Sequence, residues 1–293
     1  MGDLPLDLIW ELFGYSILAA LVAGLVVPLV GSFLLVRRTG FYGVTLPQFA
    51  AAGVSFGFVA LPWWQTHMSW LLDAESLGDE SHLALGYHLQ WAGLFTMAGL
   101  IGMTLASKKD GLEAGRVAAS FAIASAMTIL FSHASPVGEI YVHSLLKGEI
   151  LAIDGHELGA LAGTLALVAV LLAFFRRELT LASYDPDLAV VLGKRSKAWE
   201  ALLMLLVGTT VSVSVMTVGP AVLFGLLVIP PLVARPHAKS MAAFLLLSST
   251  IGVLSAAAGV WASFHFDQPL GPTLVAASAL FLPASAVATR CRG

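Results

Sequence analysis

Nine apolar stretches, each close to the length that crosses a bilayer as a helix, take up most of this chain. They lie near residues 12–36, 43–64, 84–106, 113–132, 157–175, 199–218, 220–235, 240–263 and 271–289. A helix needs about 20 apolar residues to span the hydrocarbon core. Lipid offers the backbone no hydrogen-bond partners, so a helix that satisfies itself is the economical way across. Composition agrees: 11% of the 293 residues are charged and 58% are hydrophobic, whereas soluble domains carry about 25% charged residues. The expected fold is all-α, a polytopic bundle of eight or nine transmembrane helices with some helices broken. It forms one domain over residues 1–293 without a soluble appendage. The opening MGDLPLDLIWELFG is acidic and lacks the positive region of a cleaved signal peptide. The lone Cys291 excludes an internal disulfide and a cysteine metal cluster.

Charge orients the bundle. Nine crossings threaded from an outside N-terminus put every Lys and Arg except Lys147 on one side, 14 of the 15. By the positive-inside rule that side is the cytoplasm, and the C-terminus lies there too. The opposite face holds carboxylates and seven of the eight histidines, His67, His82, His88, His133, His143, His156 and His265. Such a face attracts cations and can ligate transition metals. An ordinary polar outer face accounts for the composition equally well. The acidic loop 65–83 reads more readily as solvated than as a metal trap.

Prolines and glycines interrupt the apolar blocks. Pro28 lies between Gly24 and Gly31, Pro47 opens the second block, Gly219-Pro220 separates the sixth and seventh, and Pro230-Pro231 lies within the seventh. Each interior proline removes a backbone bond at a cost of roughly 3 kcal/mol. Broken helices often line the pathway of a transporter, and the clustering favours that over a harmless kink. Gly53 and Gly57 form a small-xxx-small step suited to close helix packing. Segment 132–156 has a short apolar core between two outer ends, as a re-entrant or interfacial helix would. Its Glu139 and His143 are four apart and share a helix face.

The longest basic-side connection is 176–198, RRELTLASYDPDLAVVLGKRSKA. Asp185 suits a helix N-cap, Pro186 the first turn, and Asp187 the positive end of the dipole. Leu188 and Leu192 are among its apolar positions, and Gly193 suits the stop. A short apolar helix of this kind, about 185–193, either docks in a partner's groove or packs back on its own bundle; docking is the expectation. No G-x-x-x-x-G-K-[ST] loop occurs, so ATP binding through a P-loop is not expected of this chain. No G-x-S-x-G or H-E-x-x-H motif is present, and no catalytic residue is nominated.

From about residue 14 to 288 the chain resembles the permease subunit of zinc/manganese-type ABC importers. The resemblance rests on LVRRTGF, LLKGEILAI, VGPAVLFGLLVIPPLVAR, DQPLGPTLV and, most specifically, FFRRELTLASYDPDLAVVLG. It implies a helical permease in the inner membrane that pairs with a second copy. A dimer of cytoplasmic ATP-binding subunits carries ATP and Mg, and an extracytoplasmic binding protein delivers the substrate. No nucleic acid and no cofactor of its own are implied, and lipid surrounds the chain. Residues 185–193 become the helix that couples to the ATPase. The implied substrate is a divalent transition metal, zinc, manganese or iron, moved by alternating access.

The chain departs from the family at one point. Where the family typically shows a stretch like SFLGDALSHAALPG, this sequence has GFYGVTLPQFAAAG. The family's aspartate falls on Val44 and its histidine on Gln48. Valine cannot ligate a metal, and an amide oxygen is a poor ligand for zinc. Candidate ligands move to His143, Glu149 and His156, with Pro47, Gln48, Glu139 and Pro220 as further pathway candidates. The alternatives are a permease for a metal chelate or small organic solute, or a secondary transporter working without ATP.

Overall fold

The computed structural model describes residues 6–37, 39–67, 82–106, 112–135, 138–140 and 153–290. Eleven α-helices organise them: α1 Leu6–Val36, α2 Tyr42–His67, α3 His82–Ala106, α4 Glu113–His133, α5 Gly155–Phe174, α6 Arg176–Tyr184, α7 Pro186–Val191, α8 Ser196–Val218, α9 Pro220–Ala234, α10 Met241–Phe266 and α11 Leu270–Arg290. Nine of these, all but α6 and α7, are long and apolar enough to cross a membrane. They coincide with the nine apolar blocks to within a few residues, because block length against bilayer thickness is a strong constraint.

The most buried helices, α1, α2, α8 and α9, form the centre. Helix α1 packs on α5, α9 and α10, α2 on α3 and α4, and α8 lies against α3, α5 and α2. Helix α11 covers α9 and α10. Phe33, Leu46, Leu203, Leu223 and Leu226 are fully enclosed there. Helix α4 is the least enclosed span and α3 touches it little, both being held mainly by α2.

The prolines act differently from the expectation. Helices α1, α2 and α9 run on through Pro28, Pro47, Pro62, Pro230 and Pro231. The break comes at Gly219, whose φ of 79° and ψ of 158° end α8 and start α9. At Pro28 and Pro231 a neighbouring glycine accounts for the continuity. Pro28 withdraws the donor that would serve the Gly24 carbonyl four residues back. Gly252 of α10 lies directly on that carbonyl, since a Cβ there would come within 2.1 Å of it. Pro231 likewise withdraws the donor to the Leu227 carbonyl, and Gly31 of α1 lies against that oxygen. Where two backbones meet this closely, Cα–H groups give the freed oxygens a weak partner. Gly53 also packs by its backbone, on the Trp91 carbonyl of α3, as the small-residue step anticipates.

Connection 176–198 holds two helices where one was expected. Helix α6 precedes the capped segment and buries Leu179 and Ala182. Its apolar positions are few, so the basic sequence conceals about two and a half amphipathic turns.

Candidate functional site

Two regions carry chemistry: the tip formed by α7, and the first turns of α2 with the helices around them. At the tip, the Asp185 carboxylate accepts a hydrogen bond from the Leu188 N–H at 2.9 Å, and Pro186 opens the helix. At the far end Gly193 has φ of 73°. Its N–H donates to the Val190 carbonyl and the Lys194 N–H donates to the Ala189 carbonyl, both at 2.9 Å. This paired closure is the Schellman motif, which needs a left-handed residue at Gly193. The tip holds to its own bundle through Ala189, which is buried. Leu188, Val190, Val191 and Leu192 are exposed, Val191 to 82%. Arg176 and Arg177 at the start of α6, and Lys194, Arg195 and Lys197 just after α7, are also exposed. A solvated tip would leave polar side chains outward. Here four apolar ones are exposed on a basic connection, an arrangement that suits a cover.

On α2, Pro47 is buried and Val44 and Gln48 are half-buried. Thr128 of α4 donates to the Ala124 carbonyl at 2.9 Å and reaches the Gln48 backbone oxygen at 3.4 Å. Next to this contact a cavity of about 330 Å³ opens between α3 and α4, floored by Phe49 and walled by Phe95, Met103 and Met127. Ser120 is its one hydroxyl, and it offers no ligand set for a metal. Met103 and Ser120 also line a smaller recess that holds Tyr42, Glu113 and Arg116.

The nominated site residues are scattered. Pro220 is the buried first residue of α9. Glu139 is exposed, and His156 is exposed in the first turn of α5, where the Asp154 side chain caps the N–H groups of His156 and Glu157. His143 and Glu149 lie outside the described residues, as do residues 68–81 of the acidic loop. Among the described residues no three His, Cys, Asp or Glu side chains converge on a common point.

Two features escaped the sequence. His88, grouped above with the outer histidines, is buried at the α2–α3 contact. Its ring lies 4.1 Å from that of Phe58 and 5.2 Å from that of Tyr87. Gly57 leaves room for the ring, since a Cβ there would meet His88 Nδ1 at 2.6 Å. The second is the ion pair between Arg37 and Glu200, which joins the end of α1 to the start of α8. Residues 163 apart in the chain give no local signal of meeting.

Nine membrane-length helices among the described residues, with a capped apolar tip beyond them, mark a multi-pass membrane protein. The chain belongs to the ABC 3 transport family, whose profile matches residues 10–288. It is 27% identical over 266 residues to the manganese import system permease protein ScaB of Streptococcus gordonii, covering 90% of this chain and 87% of that one. It is 24% identical over 261 residues to the manganese transport system membrane protein MntC of Listeria monocytogenes, covering 89% and 84%. Among solved structures its fold is similar to PsaBC from Streptococcus pneumoniae in complex with Fab. The TM-score is 0.76 at 20% identity, over 95% of this chain and 93% of that one.

Proposed function

We propose that this chain is the permease subunit of an ABC importer for a divalent metal, with manganese the favoured substrate. ATP is hydrolysed on a separate pair of subunits. The observation that carries the reading is the tip at Pro186–Val191, capped at both ends and apolar on its exposed side. It has the form of a helix built to sit in another subunit's groove, and the basic face around it belongs to the cytoplasm by charge. The N-terminus is then outside and the C-terminus inside.

The substrate assignment leans on the relatives named for manganese and on the chemistry of α2. Oxygen ligands suit manganese better than zinc, and Gln48 offers an amide oxygen where a histidine would favour zinc. A second copy of the chain completes the pathway, with α4 as the contact. Its Ala114, Ala118, Ala122 and Ala126 recur every four residues and are exposed, as close helix pairing in a membrane requires. A binding protein on the outer side delivers the ion.

The test is manganese uptake into vesicles that hold the permease, its ATPase and its binding protein. Uptake should require ATP and stop when the ATPase is inactivated. Uptake that continues with the ATPase disabled would favour a secondary transporter, and uptake of an organic solute alone would exclude the metal.

A further inference from the structure

We propose that the Arg37–Glu200 ion pair is the positioning contact through which movement of the α7 tip reaches α2, and so the inner end of the pathway. This rests on the ABC reading above and deepens it.

The contact stands where two rigid units meet. Helices α6 and α7 are fastened to the start of α8. Leu179 and Ala189 are buried, and the rings of Phe175 and Trp199 lie 5.2 Å apart. Glu200 follows Trp199 directly, so its carboxylate travels with the tip. Arg37 follows the last residue of α1 and leads into a tight turn. Arg37 N–H donates to the Phe33 carbonyl, Thr39 N–H to Leu34, Tyr42 N–H to Thr39, Gly43 N–H to Gly40 and Val44 N–H to Phe41, all at 2.9–3.1 Å. Thr39 bonds back to α1 through its N–H and forward to Tyr42 through its carbonyl, which ties the end of α1 to the first turn of α2. The guanidinium of Arg37 donates to the Glu200 carboxylate between these units.

The setting suits a transmitting contact. The Arg37 side chain is 15% exposed and that of Glu200 38%, so salt screens the pair less than a surface pair. Buried Tyr42 lies within electrostatic reach of Arg37, Glu200, Glu113 and Arg116. The charges of α1, α4 and α8 therefore meet around the residue that begins α2. Gln48 and its contact with Thr128 lie six residues further along, about 9 Å up the helix axis. A displacement of the tip shifts Glu200, the ion pair passes it to the α1–α2 turn, and α2 turns Gln48 against α4.

A pair that merely stapled two helices would affect stability, and transport and hydrolysis together. A transmitting pair sets how much transport each hydrolysis yields, and that ratio is the readout. Manganese uptake and ATP hydrolysis are measured in parallel on the complete importer in vesicles, for the parent and for R37E, E200R, E200Q and the R37E/E200R double variant. E200Q keeps the side-chain shape and guards against loss of folding. We expect each single variant to lower manganese delivered per ATP by about fivefold or more, the usual minimum for coupled sites, with hydrolysis held within about twofold. The double variant should recover most of the ratio. An unchanged ratio in E200Q and E200R, uptake and hydrolysis falling in step, or no recovery in the double variant would overturn the proposal. Parent uptake that ignores the ATPase would instead remove the ABC reading itself.

Discussion

Gly31 of α1 lies against the Leu227 carbonyl of α9, the oxygen that Pro231 deprives of its helical donor. Pro230 cannot serve it either, so the donors three and four residues on are both missing. A neighbouring glycine backbone occupies the vacated side. The same device recurs where Gly252 meets the Gly24 carbonyl beneath Pro28. In a membrane, where water cannot reach such oxygens, this lets α1 keep Pro28 and α9 keep Pro231 and stay whole.

Replacing Gly31 with alanine should push α1 and α9 apart. A Cβ would sit 1.9 Å from the Leu227 oxygen, which is backbone and cannot swing away. Overpacking of this kind costs about 1–3 kcal/mol. Gly159→Ala, which meets no atom within 4 Å, is the control. Thermal unfolding in nanodiscs should show a clear drop in Tm for G31A and little change for G159A. Equal Tm values would mean that the close backbone contact contributes nothing.

Gly219→Ala should also destabilise, through conformation and not crowding. Its φ of 79° with ψ of 158° is a region that residues with a Cβ occupy at a cost of about 1–3 kcal/mol. If the break between α8 and α9 is also a working joint, uptake should fall by more than the change in Tm accounts for. Parallel uptake and unfolding measurements separate the two effects.

The exposed tip should tolerate change until a partner is present. Val191→Ser and Leu192→Ser remove apolar side chains that touch solvent in the isolated chain, so stability should hold to within about 0.5 kcal/mol. Covering such a side chain is worth about 1.5–3 kcal/mol, so each change should weaken capture of the ATPase by roughly tenfold or more. Titration of the ATPase against the nanodisc-bound permease measures this directly. Undiminished affinity would assign the docking surface elsewhere.

Gln48→His tests the metal preference. An imidazole in place of the amide should favour zinc over manganese, by on the order of tenfold, or about 1.4 kcal/mol. Competition between the two ions for uptake gives the ratio. An unaltered ratio would remove Gln48 from the ion's route.

Sequence alone located the nine spans and the Asp185-to-Gly193 helix, because both follow from local rules. A span is a count of apolar residues, and a capped helix is a pattern of residue types at fixed offsets. The prolines misled because their effect depends on what lies alongside, and no reading of Pro28 reveals Gly252. Helix α6 was missed because its buried face, Leu179, Ala182 and Ser183, is short and mostly small, and it stands among charged residues. His88 looked like an outer-face histidine until Phe58 and Tyr87 enclosed it. Arg37 and Glu200 are distant in the chain, and their meeting is a property of the fold. His143 and Glu149 lie outside the described residues, so those nominations rest on the sequence.

The double closure of α7 bears on how fast and how selectively a partner can be recognised. A helix of six residues would not persist alone in water, because nucleation costs more than so few bonds return. Asp185 and Gly193 hold it in shape before anything arrives. A partner that finds a finished knob loses no free energy to ordering it, and association need not wait for a rare conformation. Discrimination then falls on surface shape, so a groove made for a different permease would fail by misfit and not by slow folding.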